Sequence, residues 1–205
     1  MRHKIQALLL LLMIELLVMS PANAAFCSLR DPVSAINLLY GQGYEYRSLV
    51  NNVTEQDRLL VKQQLPFTIH QNEVGKHTLY ILNKEGQQDG FLQARSEWAK
   101  WGFVEIAWAI NVDRSIKGFY FQRCRSPECN DKVVKNINKQ IHNKNFKQLK
   151  ALLSDDGKSF SVEGEQAFKV APKLALIVLH SALKTLAITD VSWKSDIDEL
   201  NSALN

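Results

Sequence analysis

The chain has 205 residues, of which 46% are apolar, and a formal net charge of +4. This composition excludes a disordered tail, a collagen-like repeat and a cysteine-dense miniprotein, and it predicts one compact domain. A charge this small predicts no nucleic-acid partner.

The N-terminal residues have the three-part layout of a secretory signal peptide. Basic residues at 2–4 precede an apolar run from Ile5 to Met19, and Pro21 leads to the small-x-small site Ala22-Asn23-Ala24. The run is shorter than the roughly 20 residues that cross a bilayer. The sequence therefore predicts a signal peptide over residues 1–24, cleaved near Ala24, and a periplasmic protein that touches membranes only peripherally.

Three cysteines follow this segment: Cys27, Cys124 and Cys129. In an oxidising compartment two of them are expected to pair. Cys124 and Cys129 are separated by four residues, so a bridge between them closes easily. A Cys27–Cys124 bridge would close a longer loop and stabilise the fold more. The sequence leaves both pairings open.

Residues 25–78 predict an N-terminal extension of two helices and a strand. Each predicted helix begins at a residue whose side chain can cap the free N–H groups of a helix start, Asp31 or Thr54. Pro32, at the first helical position, is further evidence for the first helix. In order, these elements are a helix from Asp31-Pro32 to Gly41, a strand over Tyr44–Val50, and a helix from Thr54 to Leu65.

From Phe67 to Arg123 the pattern changes to strands and tight turns. The strongest signal alternates apolar residues on one side of a strand, at Val104, Ile106, Trp108, Ile110 and Val112. The predicted strands are, in order, His77–Leu82, Phe91–Arg95, Trp101–Val112 and Ile116–Gln122. Short turns between them predict an antiparallel meander.

Helical periodicity returns after Cys129. An apolar helix predicted over Ala171–Ala187 is expected to be buried against the sheet, and residues 190–205 are interpreted as a C-terminal extension. The predicted fold class is α+β, with a small antiparallel sheet packed against helices.

The segment from Lys132 to Lys150 is basic, with Asp131 as its acidic neighbour. Two interpretations stay open. The lysines could form a solvated helix face, or they could dock on an anionic lipid or an acidic partner.

The order of elements from about Leu79 to Leu186 resembles the extracytoplasmic FMN-binding domain of flavin subunits in Rnf-type and sodium-pumping NADH:quinone reductase complexes. The segments that carry the resemblance are Leu79–Leu82, Gly90-Phe91-Leu92, Gly102–Asp113, Ile116–Phe121 and Arg125-Ser126-Pro127. It implies an FMN-binding-like domain over residues 79–189. It also implies a role in envelope electron transfer, with an inner-membrane redox complex as partner.

In that family a Ser-Gly-Ala-Thr motif before a long helix carries FMN on its threonine. Depending on the alignment, Gln166 or Lys169 stands at that position here, and neither side chain has a hydroxyl group. The flavin is therefore expected to bind non-covalently.

A non-covalent FMN needs cationic or N–H donors for its phosphate and a flat apolar surface for its ring. The residues predicted to contact it are Arg123, Arg125, Ser126, Gln166, Lys169, Trp101 and Tyr120. Glu163 and Glu165 lie close by in sequence and would repel a phosphate.

Three hypotheses for function follow. The first is a periplasmic FMN-binding-like protein in electron transfer, and the alternative is a binding or assembly module of a cell-envelope complex without cofactor. The third is a thiol-redox protein using Cys124 and Cys129. The sequence has no G-x-S-x-G, phosphate-binding glycine loop or H-E-x-x-H motif, and it does not decide whether the protein is an enzyme.

Overall fold

The computed structural model describes residues 27–203, with side chains through residue 200, so the predicted signal peptide lies outside the described residues. A single 3-10 turn, Gln71–Glu73, precedes the second strand. The other elements are α1 (Pro32–Leu39), β1 (Glu45–Val53), α2 (Glu55–Gln64), β2 (Gly75–Lys84), β3 (Gln87–Ala99), β4 (Gly102–Ile110), β5 (Ile116–Arg123), α3 (Asp131–Ile141), α4 (Phe146–Lys150), α5 (Val162–Ala167), α6 (Pro172–Ser192) and α7 (Lys194–Ala203).

The five strands form one antiparallel sheet in the order β1-β2-β3-β4-β5. In its centre Arg95 of β3 lies opposite Ile106 of β4, and Trp108 of β4 lies opposite Phe119 of β5. The predicted α+β class is confirmed, and the meander includes β1 as a fifth strand. The domain boundary predicted at residue 78 falls inside β2.

Helix α6 covers one face of the sheet, called the inner face here. Its Ser181 hydroxyl accepts a hydrogen bond of 3.0 Å from Nε1 of the buried Trp108. The predicted buried helix is thus confirmed, and it continues past Ala187 to Ser192. Its length and hydropathy would suffice to cross a membrane, but 67% of its most apolar stretch is buried, as expected for a core helix.

Most of the alternating apolar residues predicted for one side of β4 are buried on one face of the sheet. Val104, Ile106, Trp108 and Ile110 are all fully buried in the main core. The prediction for Val112 is wrong, because this side chain is 42% exposed. The strand ends at Ile110, and the next residue starts a tight turn.

Helix α1 covers part of the opposite, outer face through Ala35 and Ile36. The hydroxyl of Tyr40, just after the helix, lies 2.8 Å from the carbonyl oxygen of Phe91 and accepts the N–H of Ile110 at 3.1 Å. Gly90 makes this approach possible. A Cβ atom there would lie 2.6 Å from the Tyr40 hydroxyl, and its φ of +158° disfavours other residues.

The two edges of the sheet differ. Helix α3 covers the β5 edge, where the Asn138 side chain accepts the N–H of Phe119 at 2.9 Å and donates to its carbonyl at 3.0 Å. At the other edge, the β1 residues 45–48 are all exposed.

Candidate functional site

The arginines predicted to hold a phosphate lie at the end of β5 and in the loop after it. Nη1 of Arg123 is 3.3 Å from Glu105, a carboxylate that Arg30 also contacts at 2.8 Å. The Arg125 side chain is exposed. The hydroxyl of Ser126, which is nearly buried, accepts the N–H of Glu128 at 3.2 Å. Of these three residues, Arg125 is the one left available to a ligand.

The two aromatic residues predicted to stack on a flavin ring belong to different clusters. Trp101 packs against the main core on the inner face, whereas Tyr120 packs beside α1 on the outer face. One planar ring cannot contact both of them.

The residues predicted near the start of α6 are at the surface. Gln166, in α5, and Lys169, in the loop after it, are both exposed, and so are Glu163 and Glu165. The structure therefore does not bring the seven predicted flavin contacts together at one site.

The cysteine pairing is settled within the described residues. Cys124 and Cys129 form a disulfide, with Cα atoms 6.1 Å apart. Cys27 is a free, buried thiol, so the alternative Cys27–Cys124 bridge is wrong. The disulfide closes the turn between β5 and α3.

A network of buried charged residues lies where the 3-10 turn, β3 and α6 meet. Glu73 is fully buried, and its Oε1 lies 3.4 Å from Nη1 of Arg95 and 3.5 Å from the thiol of Cys27. The other carboxylate oxygen, Oε2, accepts the backbone N–H of His70. Burial would raise the pKa of Glu73, but Arg95 and Lys184 outweigh it and lower that pKa.

A second pair joins this network. Nζ of Lys184, from α6, donates to Oε2 of Glu97 on β3 at 2.5 Å. Burial raises the pKa of Glu97, and the positive charge of Lys184, which acts to lower that pKa, offsets this only in part. Nε of Arg95 and Oε1 of Glu97 have no hydrogen-bond partner among the described residues.

Two neutral groups complete the network. Burial raises the pKa of Cys27 to about 12, so its thiol is protonated and a poor nucleophile at neutral pH. Burial lowers the pKa of His77 to about 4, which keeps the imidazole uncharged. Because these groups are shielded from solvent, the arrangement can fix the packing of β3 on α6 but cannot reach a dissolved substrate.

Sequence reasoning missed this network. Its clearest signal is Lys184, the single charged residue between Leu174 and Ala187 of a helix predicted to be buried. A second signal is the polar row Gln93, Arg95 and Glu97, which takes alternate positions on the inner face of β3.

A surface groove of about 440 Å³ lies between α1, β5 and α3. Its volume is in the range of small-molecule sites. Apolar and basic residues share its walls. The lining residues are Leu38, Leu39, Lys117, Gly118, Phe119, Lys135, Asn138, Lys139 and His142. We call it the basic groove.

Two of the three lysines of the basic groove are available to a ligand. Lys135 and Lys139 lie one helical turn apart on α3, are exposed, and form no ion pair among residues 27–200. Lys117 lies 4.7 Å from the ring centroid of Tyr40 and 3.7 Å from Asp89. Nδ1 of His142 donates to the Lys117 carbonyl at 2.7 Å, which leaves Nε2 of the ring for a ligand.

No protein-family model matches this chain, and no curated protein matches it significantly. A function for the protein therefore has to be argued from its own residues.

Proposed function

We propose that the protein is a binding module of the bacterial cell envelope, and that the basic groove receives an acidic segment of a partner protein. The observation that carries the proposal is the pair Lys135 and Lys139, which form no ion pair within the described residues and lie beside the apolar side chains of Leu38 and Leu39. An acidic segment with an apolar side chain would satisfy both parts of this surface.

The buried ionisable network supports binding rather than catalysis at the basic groove. Cys27 and Glu73 are enclosed in the core, and none of the groove residues belongs to their network. A general acid or base must come within hydrogen-bond reach of its substrate. The basic groove offers recognition through charge and shape instead.

The test is the affinity for a synthetic peptide of alternating glutamate and leucine, measured by fluorescence anisotropy. We expect Lys135→Glu combined with Lys139→Glu to weaken binding about tenfold or more, because each substitution replaces an attraction with a repulsion. The matched control is Lys132→Glu combined with Lys147→Glu, which makes the same change in net charge at exposed sites outside the groove. Equal loss in both double variants would overturn the proposal.

A more specific ligand for the same groove is non-covalent FMN. The groove combines cations suited to a phosphate with apolar walls suited to a ring, and its volume of about 440 Å³ fits a ligand of this class. The order of elements, a strand meander followed by a long buried helix, agrees with the resemblance to FMN-binding domains. Envelope electron transfer would follow from a bound flavin.

FMN binding is tested by titrating the purified protein with FMN and following flavin fluorescence. We expect saturable quenching that is lost in the Lys135→Glu/Lys139→Glu variant and retained in Lys132→Glu/Lys147→Glu. Absence of quenching in the unsubstituted protein excludes FMN and leaves the acidic-peptide proposal to its own experiment.

The periplasmic location is part of the proposal. It is supported by the layout of residues 1–24 and by the Cys124–Cys129 disulfide, since disulfides persist in oxidising compartments. The intact mass of the protein from a periplasmic extract should correspond to a chain that starts near Ala25. Recovery of full-length protein in the cytoplasm would contradict it.

A further inference from the structure

We propose that two copies of this chain associate edge to edge through β1, forming a continuous ten-stranded sheet. The proposal starts from the contrast between the two sheet edges. At β5, Asn138 and α3 occupy the backbone groups of Phe119. At β1, four consecutive residues, 45–48, are exposed.

Strand β1 has the properties of a pairing edge. It pairs with β2 over nine consecutive positions without a bulge, from Glu45 opposite Asn83 to Val53 opposite Gly75. It contains no proline and no lysine, two of the residues that natural edge strands use to prevent association, and its charged residues are Glu45 and Arg47. A long, regular, open edge is a template for a further strand.

The exposed side chains of β1 are complementary to those of a second copy of the same strand. On the outer face Tyr46 is 44% exposed and Val50 is 58% exposed, and Ser48 lies between them. A two-fold axis through Ser48 in an antiparallel pair places Tyr46 of each copy opposite Val50 of the other. Aromatic residues paired with β-branched residues across strands stabilise a sheet.

Within β1, this register places no like charges directly opposite each other. Arg47 of one copy lies opposite Leu49 of the other. Glu45 lies opposite Asn51, whose side chain donates to Asp196 at 2.8 Å. An identical strand therefore satisfies both the backbone and the side chains of this edge, which is the requirement for an isologous two-fold interface. This interface lies at the opposite edge of the sheet from the basic groove, so either proposal can fail without the other.

The first experiment is sedimentation equilibrium of the full mature chain over a wide concentration range. We expect the unsubstituted protein to dimerise and Ser48→Lys to dimerise about tenfold or more weakly, because two lysines would meet at the axis. Val162→Lys is the matched control, since Val162 is 75% exposed in α5, far along the chain from β1, and its dimerisation should be unchanged. Far-ultraviolet circular dichroism verifies that each variant is folded.

A purely monomeric unsubstituted protein overturns the proposal, and so does a Ser48→Lys variant that dimerises as tightly as the unsubstituted protein.

A second experiment does not depend on Ser48→Lys being folded. Under mild oxidation Ser48→Cys should form a covalent dimer, whereas Asn52→Cys should not, because its two thiols would lie about 26 Å apart in this register. The native cysteines do not interfere, since Cys27 is buried and the other two are bonded. Equal cross-linking of both variants contradicts the register.

Discussion

Lys184 shows how one residue constrains the interior of this protein. It enters the core from α6 and is only 9% exposed, and it is held by Glu97 on the central strand. Removing one member of a buried ion pair leaves the other charge without compensation. Breaking the pair therefore destabilises the fold by more than the intact pair contributes to its net stability.

Lys184→Met tests this role. The substitution keeps the length of the side chain but leaves Glu97 unpaired, so we expect the free energy of unfolding to fall by about 3–5 kcal/mol. Urea denaturation measures it. Adding Glu97→Leu should recover most of the loss, and Lys173→Met, at an exposed position of the same helix, should change little. If the double variant is as unstable as Lys184→Met alone, the pair is not the cause.

His77 makes stability depend on pH. Its pKa is about 4 in the folded chain and 6.5 ordinarily, because burial disfavours the charged imidazole. Its contribution is complete above pH 6.5 and is lost as the pH falls from there towards 4, since the unfolded chain binds a proton that the folded chain does not. The loss amounts to about 3 kcal/mol.

His77→Gln should flatten this dependence. We expect the difference in unfolding free energy between pH 7 and pH 5 to shrink, as measured by urea denaturation at both values. Burial also lowers the pKa of His180, so part of the slope should remain. An unchanged slope in His77→Gln would contradict the assignment.

At the scale of elements, helix starts were the most predictable features. Asp31 accepts the N–H of Ser34 at 3.0 Å before Pro32, and Thr54 forms a reciprocal capping box with Asp57, as predicted. Caps are local, so sequence reveals them. The end of β4 is set instead by a turn in which the N–H of Asn111 donates to the Ser115 carbonyl at 2.9 Å. Apolar alternation continues to Val112, so the sequence predicts the turn but places the end of the strand two residues too late.

Tyr40 attaches α1 to the sheet and thereby holds one wall of the basic groove. Tyr40→Phe removes the acceptor for the Ile110 N–H, where the pairing of β4 with β5 is irregular. We expect a loss of about 1–3 kcal/mol in unfolding free energy. The control is Tyr120→Phe, a half-buried tyrosine whose hydroxyl has no hydrogen bond within the described residues. Equal losses in both variants would show that the hydroxyl bond of Tyr40 is not responsible.

At the scale of the whole molecule, hydrophobic pattern predicted a meander around one buried helix, and this is what the fold contains. The hydrophobic pattern could not show which side chains of β4 and its neighbours lie on which face of the sheet, because β4 is apolar on both sides. For that reason Trp101 and Tyr120 were placed in one predicted site although they pack on opposite faces. The sequence indicated the lysines of the basic groove, within the basic segment Lys132–Lys150, but not the groove itself, since it forms where three elements distant in sequence meet.

Cys27 reports on the integrity of the whole fold. It is the one free thiol of the chain and is 4% exposed. A thiol reagent should modify no cysteine in the native protein and one in denaturant. In Lys184→Met the native labelling rate should rise about tenfold for each 1.4 kcal/mol of stability lost. Rapid labelling of the unsubstituted native protein would show that the Cys27 region opens independently of the rest.

Helix α6 has a consequence for the export proposed above. A segment as long and apolar as Pro172–Ser192 risks partitioning sideways into the lipid while it passes through a secretion channel. A lysine near the middle of such a segment opposes that by about 2.5–3.5 kcal/mol. Under the proposed export, Lys184 would thus oppose entry of this helix into the lipid until the sheet closes around it and Glu97 pairs with it.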